Sequence, residues 1–178
     1  WVLAILLMTP FVAPRVWRHR AEIRPVLGKL AVLGLLGLAA WQGLAYYAAL
    51  TTTATNMGII AAMLPLVTMV LSAVVLREPP TLGMVLGSAL AFSGLIILLS
   101  HGSPANVLKN GVNLGDLLMV MACVSYAGYG ILLRRWKLVL EPWTSIYVQA
   151  CFAALALLVP FLIGPWSPIT SQNIGLIV

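Results

Sequence analysis

Apolar runs alternate with short polar or charged breaks along almost the whole chain. The clearest pair is 57–76 and 82–100, joined by the charged turn Arg77-Glu78-Pro79-Pro80-Thr81. An apolar run of about 20 residues crosses the hydrocarbon core as a helix, and a helix satisfies its own backbone there. The pattern predicts crossings over 30–50, 57–76, 82–100, 116–133 and 143–162. The run 1–13 reads as the end of a cut span, closed by Pro14, and 174–178 as the opening of a further one. The runs do not alternate with period two, as membrane strands would. The expected fold class is all-α: a polytopic helical membrane protein.

Details inside the runs sharpen the picture. Span 30–50 is rich in Gly and Ala, which let helices approach closely where no hydrophobic force drives them together. Thr53 or Thr55 is placed to cap the helix after it, and Thr81 the helix from Leu82. Pro65 lies inside its span, has no N–H, and clashes with the carbonyl of Ala61, so a kink or hinge is expected there. Gly83, Gly87 and Ala91 recur every fourth residue, a small-residue seam for a neighbouring helix. Glu78 is expected to pair with Arg77 or with the helix N-terminus beyond it.

Composition excludes a soluble domain. The chain is 62% hydrophobic and 8% charged, with mean hydropathy +1.05, against about 25% charge in soluble proteins. The formal charge of +6 does not imply a nucleic-acid partner, because the basic residues cluster at the ends of apolar runs. Nine of the ten lie on one side: Arg15, Arg18, Arg20, Arg24, Lys29, Arg77, Arg134, Arg135 and Lys137, with Lys109 alone on the other. Cytoplasmic loops collect Lys and Arg, so 14–29, 77–81 and 134–142 are expected in the cytoplasm and 101–115 in the periplasm. Trp17 suits an interfacial anchor, and Cys123 and Cys151 read as small packing residues.

One stretch carries a family wording. Tyr46-Tyr47-Ala48-Ala49-Leu50, then Thr52-Thr53-Ala54-Thr55-Asn56, a mid-helix Pro65 and Arg77-Glu78 before a Gly-spaced helix resemble the EamA-type repeat of the drug/metabolite transporter superfamily. Arg77 stands where the family has Gly, and Pro79-Pro80 where it has Arg-Leu. The resemblance implies two five-span repeats in a ten-helix inverted-repeat fold. On it, 1–100 is a first repeat lacking its first span and 116–178 the start of a second. Thr9-Pro10-Phe11-Val12 and Val159-Pro160-Phe161-Leu162 close similar Leu-rich runs on opposite sides, as an odd-numbered inverted repeat requires.

Candidate chemistry is sparse. Glu22, Glu78, Asp116 and Glu141 all fall at span ends, which leaves a proton relay through a buried carboxylate without a candidate. No Ser/His/Asp set or metal-spaced cluster points to catalysis, so neither a metal nor a cofactor is expected. What remains within the spans is neutral polar and aromatic. Gln42, Tyr46, Asn56, Ser125, Tyr126, Tyr129 and Gln149 are the candidates for lining a solute cavity, with Ala122, Ser125, Tyr126, Tyr129 and Leu133 on one helical face. The resemblance implies an inner-membrane transporter of amino acids, metabolites or drugs, often exported, whose partners are a small solute, the bilayer and, as an open expectation, a second copy in a homodimer. A lipid-acting membrane enzyme and a structural membrane subunit remain the competing classes.

Overall fold

The computed structural model describes residues 1–99 and 113–163, apart from a few side chains late in the helix ending at Leu99. Every element in the described residues is helical. The helices are α1 (Val2–Arg18), α2 (Arg20–Ile23), α3 (Leu27–Leu33), α4 (Trp41–Ala49), α5 (Ala54–Ala62), α6 (Leu64–Val75), α7 (Leu82–Leu99), α8 (Leu114–Trp136) and α9 (Pro142–Ile163). A 3-10 turn (Arg24–Val26) joins α2 to α3, and a π-helical segment (Gly34–Ala40) joins α3 to α4. Among the described residues, four helical stretches are long and apolar enough to cross a membrane: Arg20–Ala49, Ala54–Val75, Leu114–Trp136 and Pro142–Ile163. The chain is a multi-pass helical membrane protein. The expected loop over 101–112 and the span opening at 174 lie outside the described residues.

In cross-section α8 is the hub. It packs on one side against α4 and the π segment, and on the other against α5 and α6. Helix α9 packs on the far side of the π segment and α3, with α1 against it, while α7 lies outside α5. The buried centre is thin: Ala48, Met119, Ala122 and Cys123 meet Trp41, Leu44, Met57 and Ile60, and a second cluster joins Ile23, Leu30 and Val148. Large side chains such as Leu3, Phe11, Val74 and Leu90 stand exposed. In a water-soluble protein that exposure would drive aggregation, whereas in lipid it is the solvent-facing surface.

Helix boundaries depart from the sequence pattern at three places. First, Pro14 does not close the first run: α1 continues to Arg18 through both Pro10 and Pro14, and most of the expected loop 14–29 is helical, broken only around His19. Interior prolines are tolerated where neighbouring groups take up the freed carbonyls. Second, the Gly/Ala-rich span loosens into a π turn at Gly34–Ala40, and the hydroxyl of Ser125 donates to Leu36 O at 2.9 Å. Third, the span containing Pro65 breaks at Met63, and Pro65 sits in the first turn of α6, where its missing N–H costs nothing. At that break Ile60 O accepts from the Met63 N–H at 3.0 Å and the Cys123 thiol at 3.5 Å. Thr53 caps α5 by accepting the Asn56 N–H at 3.2 Å, and Thr81 does the same for Met84 at 3.3 Å.

Two expectations about contacts are corrected. Gly83 and Gly87 have no neighbour within 4 Å of a would-be Cβ, so that seam is not where described helices meet. Close approach falls instead at Gly34, Gly37 and Gly115. Glu78 does not pair with Arg77 or a helix N-terminus: its Oε2 accepts from Arg134 Nη2 at 3.0 Å. A positive φ of 57° at Arg77, just past the Leu76 cap of α6, turns the chain toward α7. Both partners are more than half exposed, and such pairs contribute about 0–1 kcal/mol. Arg134→Ala should therefore lower stability in detergent by less than about 1 kcal/mol, measured by denaturant titration.

Candidate functional site: an aromatic wall and two polar ends

Sequence reasoning placed seven cavity candidates, and the structure separates them into groups. Trp41, Tyr126 and Tyr129 form a continuous aromatic wall, with ring centroids 5.1 Å apart for Trp41–Tyr126 and 5.7 Å for Tyr126–Tyr129. The i, i+3 spacing on α8 puts both tyrosines on one face, and the π segment sets Trp41 opposite them. Gly37 allows this: a Cβ there would lie 2.5 Å from the Tyr129 ring. Neither phenol, nor the half-buried amide of Gln42, hydrogen-bonds another described side chain. Tyr126 is 38% exposed, and Tyr129 and Gln42 partly so, which leaves their polar heads open to water or a solute.

Tyr129 also lines a cavity of about 260 Å³ between the end of α8 and the start of α9, together with Leu133, Ser145 and Gln149. Gln149 is almost fully buried and donates to Ser145 Oγ at 2.9 Å. Its backbone carbonyl presses on Gly34, so α9 and the π segment touch main chain to side-chain-free main chain. Ser125 is spent on the Leu36 carbonyl and holds the π turn in place. Tyr46 is 71% exposed and has no part in the wall. Pro65 lines a different, larger groove of about 520 Å³ between α6 and α7, with Thr68, Ser72 and Arg134.

Asn56 belongs to a cluster that the sequence did not reveal. Asp116, counted as a span-end acid, is buried at 8% exposure. Its carboxylate accepts from the Thr52 hydroxyl, from Asn56 Nδ2 at 3.2 Å and from the Asn113 N–H at 3.0 Å. Asn113 Oδ1 returns a bond to the Asp116 N–H at 3.0 Å, completing a reciprocal cap on α8. Asp116 thus stays at a span end, as expected, but protein covers it there because the α4–α5 turn folds over the α8 N-terminus. Gly115 permits that approach, since a Cβ would meet Ala48 O and Thr51 Oγ1 at 2.6 Å. The hint in the sequence was Asn113-x-x-Asp116, a capping-box spacing. The partners Thr52 and Asn56 lie some sixty residues away, and no local pattern pairs them.

The EamA-like transporter family matches residues 1–100. The chain belongs to that family. It is also 26% identical over 155 residues to the uncharacterized transporter YyaM of Bacillus subtilis (strain 168), an alignment that covers 87% of this chain and 50% of that protein. The chain thus spans about half the length of this relative. No solved structure matches it. In this EamA-like chain the family match ends near the close of α7, so the wall and the Asp116 cluster both join matched helices to α8 beyond them.

Proposed function

We propose that this chain is part of an inner-membrane transporter that moves small organic solutes, as an exporter working by alternating access. The observation that carries the reading is the Trp41–Tyr126–Tyr129 wall with two phenols left for a guest. An aromatic face with hydrogen-bonding edges suits a solute with an apolar body and a polar head, such as an amino acid. The wall spans the seam between a helix of the family-matched segment and α8. Two inverted halves of a ten-helix fold rocking about that seam would expose it to each side in turn. The arginine-rich ends then face the cytoplasm, as charge bias demands.

Reconstituted vesicles test this directly. Efflux of amino acids from a labelled panel should depend on the protein, and Tyr126→Phe with Tyr129→Phe should each reduce kcat/KM for the transported solute about five- to tenfold, the value of one lost hydrogen bond of about 1 kcal/mol. A double-Phe variant that folds and transports at the wild-type rate would remove the wall from the route. Absence of protein-dependent flux across the panel would remove the substrate class.

A further inference from the structure

At the arginine-rich end a smaller pocket has no part in that wall. It encloses about 130 Å³ and is lined by His19, Glu22, Leu140, Glu141 and Thr144. It forms where the break between α1 and α2 meets the first turn of α9. Thr144 is 2% exposed, and its Oγ1 has no hydrogen-bond partner among the described residues. A threonine in a first helical turn usually bonds a nearby backbone group, so an unpaired buried hydroxyl is costly and calls for a missing partner.

The rest of the lining says what that partner is. Glu141 Oε1 accepts from Arg15 Nη1 at 2.6 Å, which neutralises one carboxylate. Glu22 has no side-chain partner among the described residues. His19 Nδ1 faces Arg15 O at 3.0 Å; a carbonyl only accepts, so Nδ1 carries a hydrogen and is spent on that bond. The pocket therefore offers two acceptors without a partner, the Glu22 carboxylate and the Thr144 hydroxyl oxygen. No group of three His, Cys, Asp or Glu among the described residues is placed to hold a metal ion. The complement is a compact cation with several N–H donors. A volume of about 130 Å³ is that of roughly four waters, enough for an aminoethyl group.

Depth in the membrane identifies the nearest source. Trp17 and Trp143, each close in sequence to the pocket residues, stand 72% and 60% exposed, the behaviour of indoles at headgroup level. Arg15 sits beside the pocket with donors suited to a phosphodiester. We propose that this pocket binds a primary ammonium group, supplied by the headgroup of an ethanolamine phospholipid. Methylation of the nitrogen, as in a choline lipid, keeps the charge and removes every donor, so the site discriminates between the two.

Thermal unfolding of the purified, delipidated full-length protein in detergent tests it. Adding dioleoyl phosphatidylethanolamine should raise the midpoint by roughly 3 °C, and dioleoyl phosphatidylcholine should leave it in place. Glu22→Gln and Thr144→Val should abolish the rise. Glu22 is exposed and the Thr144 hydroxyl is unpaired, so both variants should keep the unliganded midpoint. Ethanolamine alone distinguishes the sources: an equal rise, lost in Glu22→Gln, assigns the ammonium site to a soluble amine, and no rise assigns it to the lipid. Equal rises with the two phospholipids, or a rise that survives both substitutions, overturn the site.

Discussion

Asp116→Ala is expected to lower the stability of the folded bundle by about 2–4 kcal/mol. The carboxylate collects donors from Thr52, Asn56 and Asn113, so its loss strands three of them at once. Hydrogen bonds between membrane helices average about 0.6 kcal/mol in measured cycles, so the two from Thr52 and Asn56 alone give roughly 1, and the lost cap on α8 adds about 1 more. The stranded donors, among them the Thr52 side chain from the α4–α5 turn and the Asn56 side chain from the first turn of α5, add desolvation cost because that turn covers the site. Asp116→Asn keeps the volume and one acceptor oxygen, and should cost about half as much. The measurement is denaturant titration in detergent, with Asn56→Ala and the double variant completing a cycle. A coupling near zero between positions 56 and 116, or an Asp116→Ala variant within about 0.5 kcal/mol of wild type, would show that the cluster is incidental. The same variant should loosen the turn over α8, read as faster proteolysis between α4 and α5.

Gly34→Ala is expected to cost about 2–3 kcal/mol, at the upper end for one added methyl. The new Cβ would run into the Gln149 carbonyl oxygen and lie 3.1 Å from Gln149 C and Cα. Those are main-chain atoms of α9, so nothing can swing aside and the two helices must part. In lipid no hydrophobic force holds them together afterwards, because the contact is packing alone. Gly128→Ala is the control: it has nothing within 4 Å of its would-be Cβ and gains about 1 kcal/mol of helix propensity. Equal destabilisation by the two substitutions would mean that α9 does not approach the π segment as closely as described. If α9 is displaced, the cavity lined by Tyr129 and Gln149 should open with it, so transport is expected to fall even where the variant still folds.

The wall and the Asp116 cluster show why some chemistry was legible and some was not. Tyr126 and Tyr129 could be grouped from spacing alone, because two residues three apart on a helix share a face whatever surrounds it. Trp41 could not be assigned to them, since the π turn that rotates it into place depends on Ser125 reaching across from α8. Tyr46 and Asn56 both fall near one end of a span, with Asn56 the stronger cavity candidate because an unpaired amide in lipid is costly. One turned outward and the other was claimed by a carboxylate sixty residues away. Glu78 likewise went to Arg134 rather than to its neighbour, because the end of α8 stands nearer than sequence distance suggests.

By itself the sequence determined that this protein lives in a bilayer, how its apolar runs become helices, and that its basic ends share a side. Each of these follows from the length, greasiness and charge of a local segment, and the cost of an unpaired backbone group in hydrocarbon enforces it. Tertiary structure alone decided which glycines let main chains touch, which acid became buried, and which tyrosines kept their hydroxyls free. Those outcomes depend on what the neighbouring helix places opposite each residue, and between lipid-embedded helices close packing and hydrogen bonding select that neighbour, with no sequence-readable hydrophobic stripe to announce it.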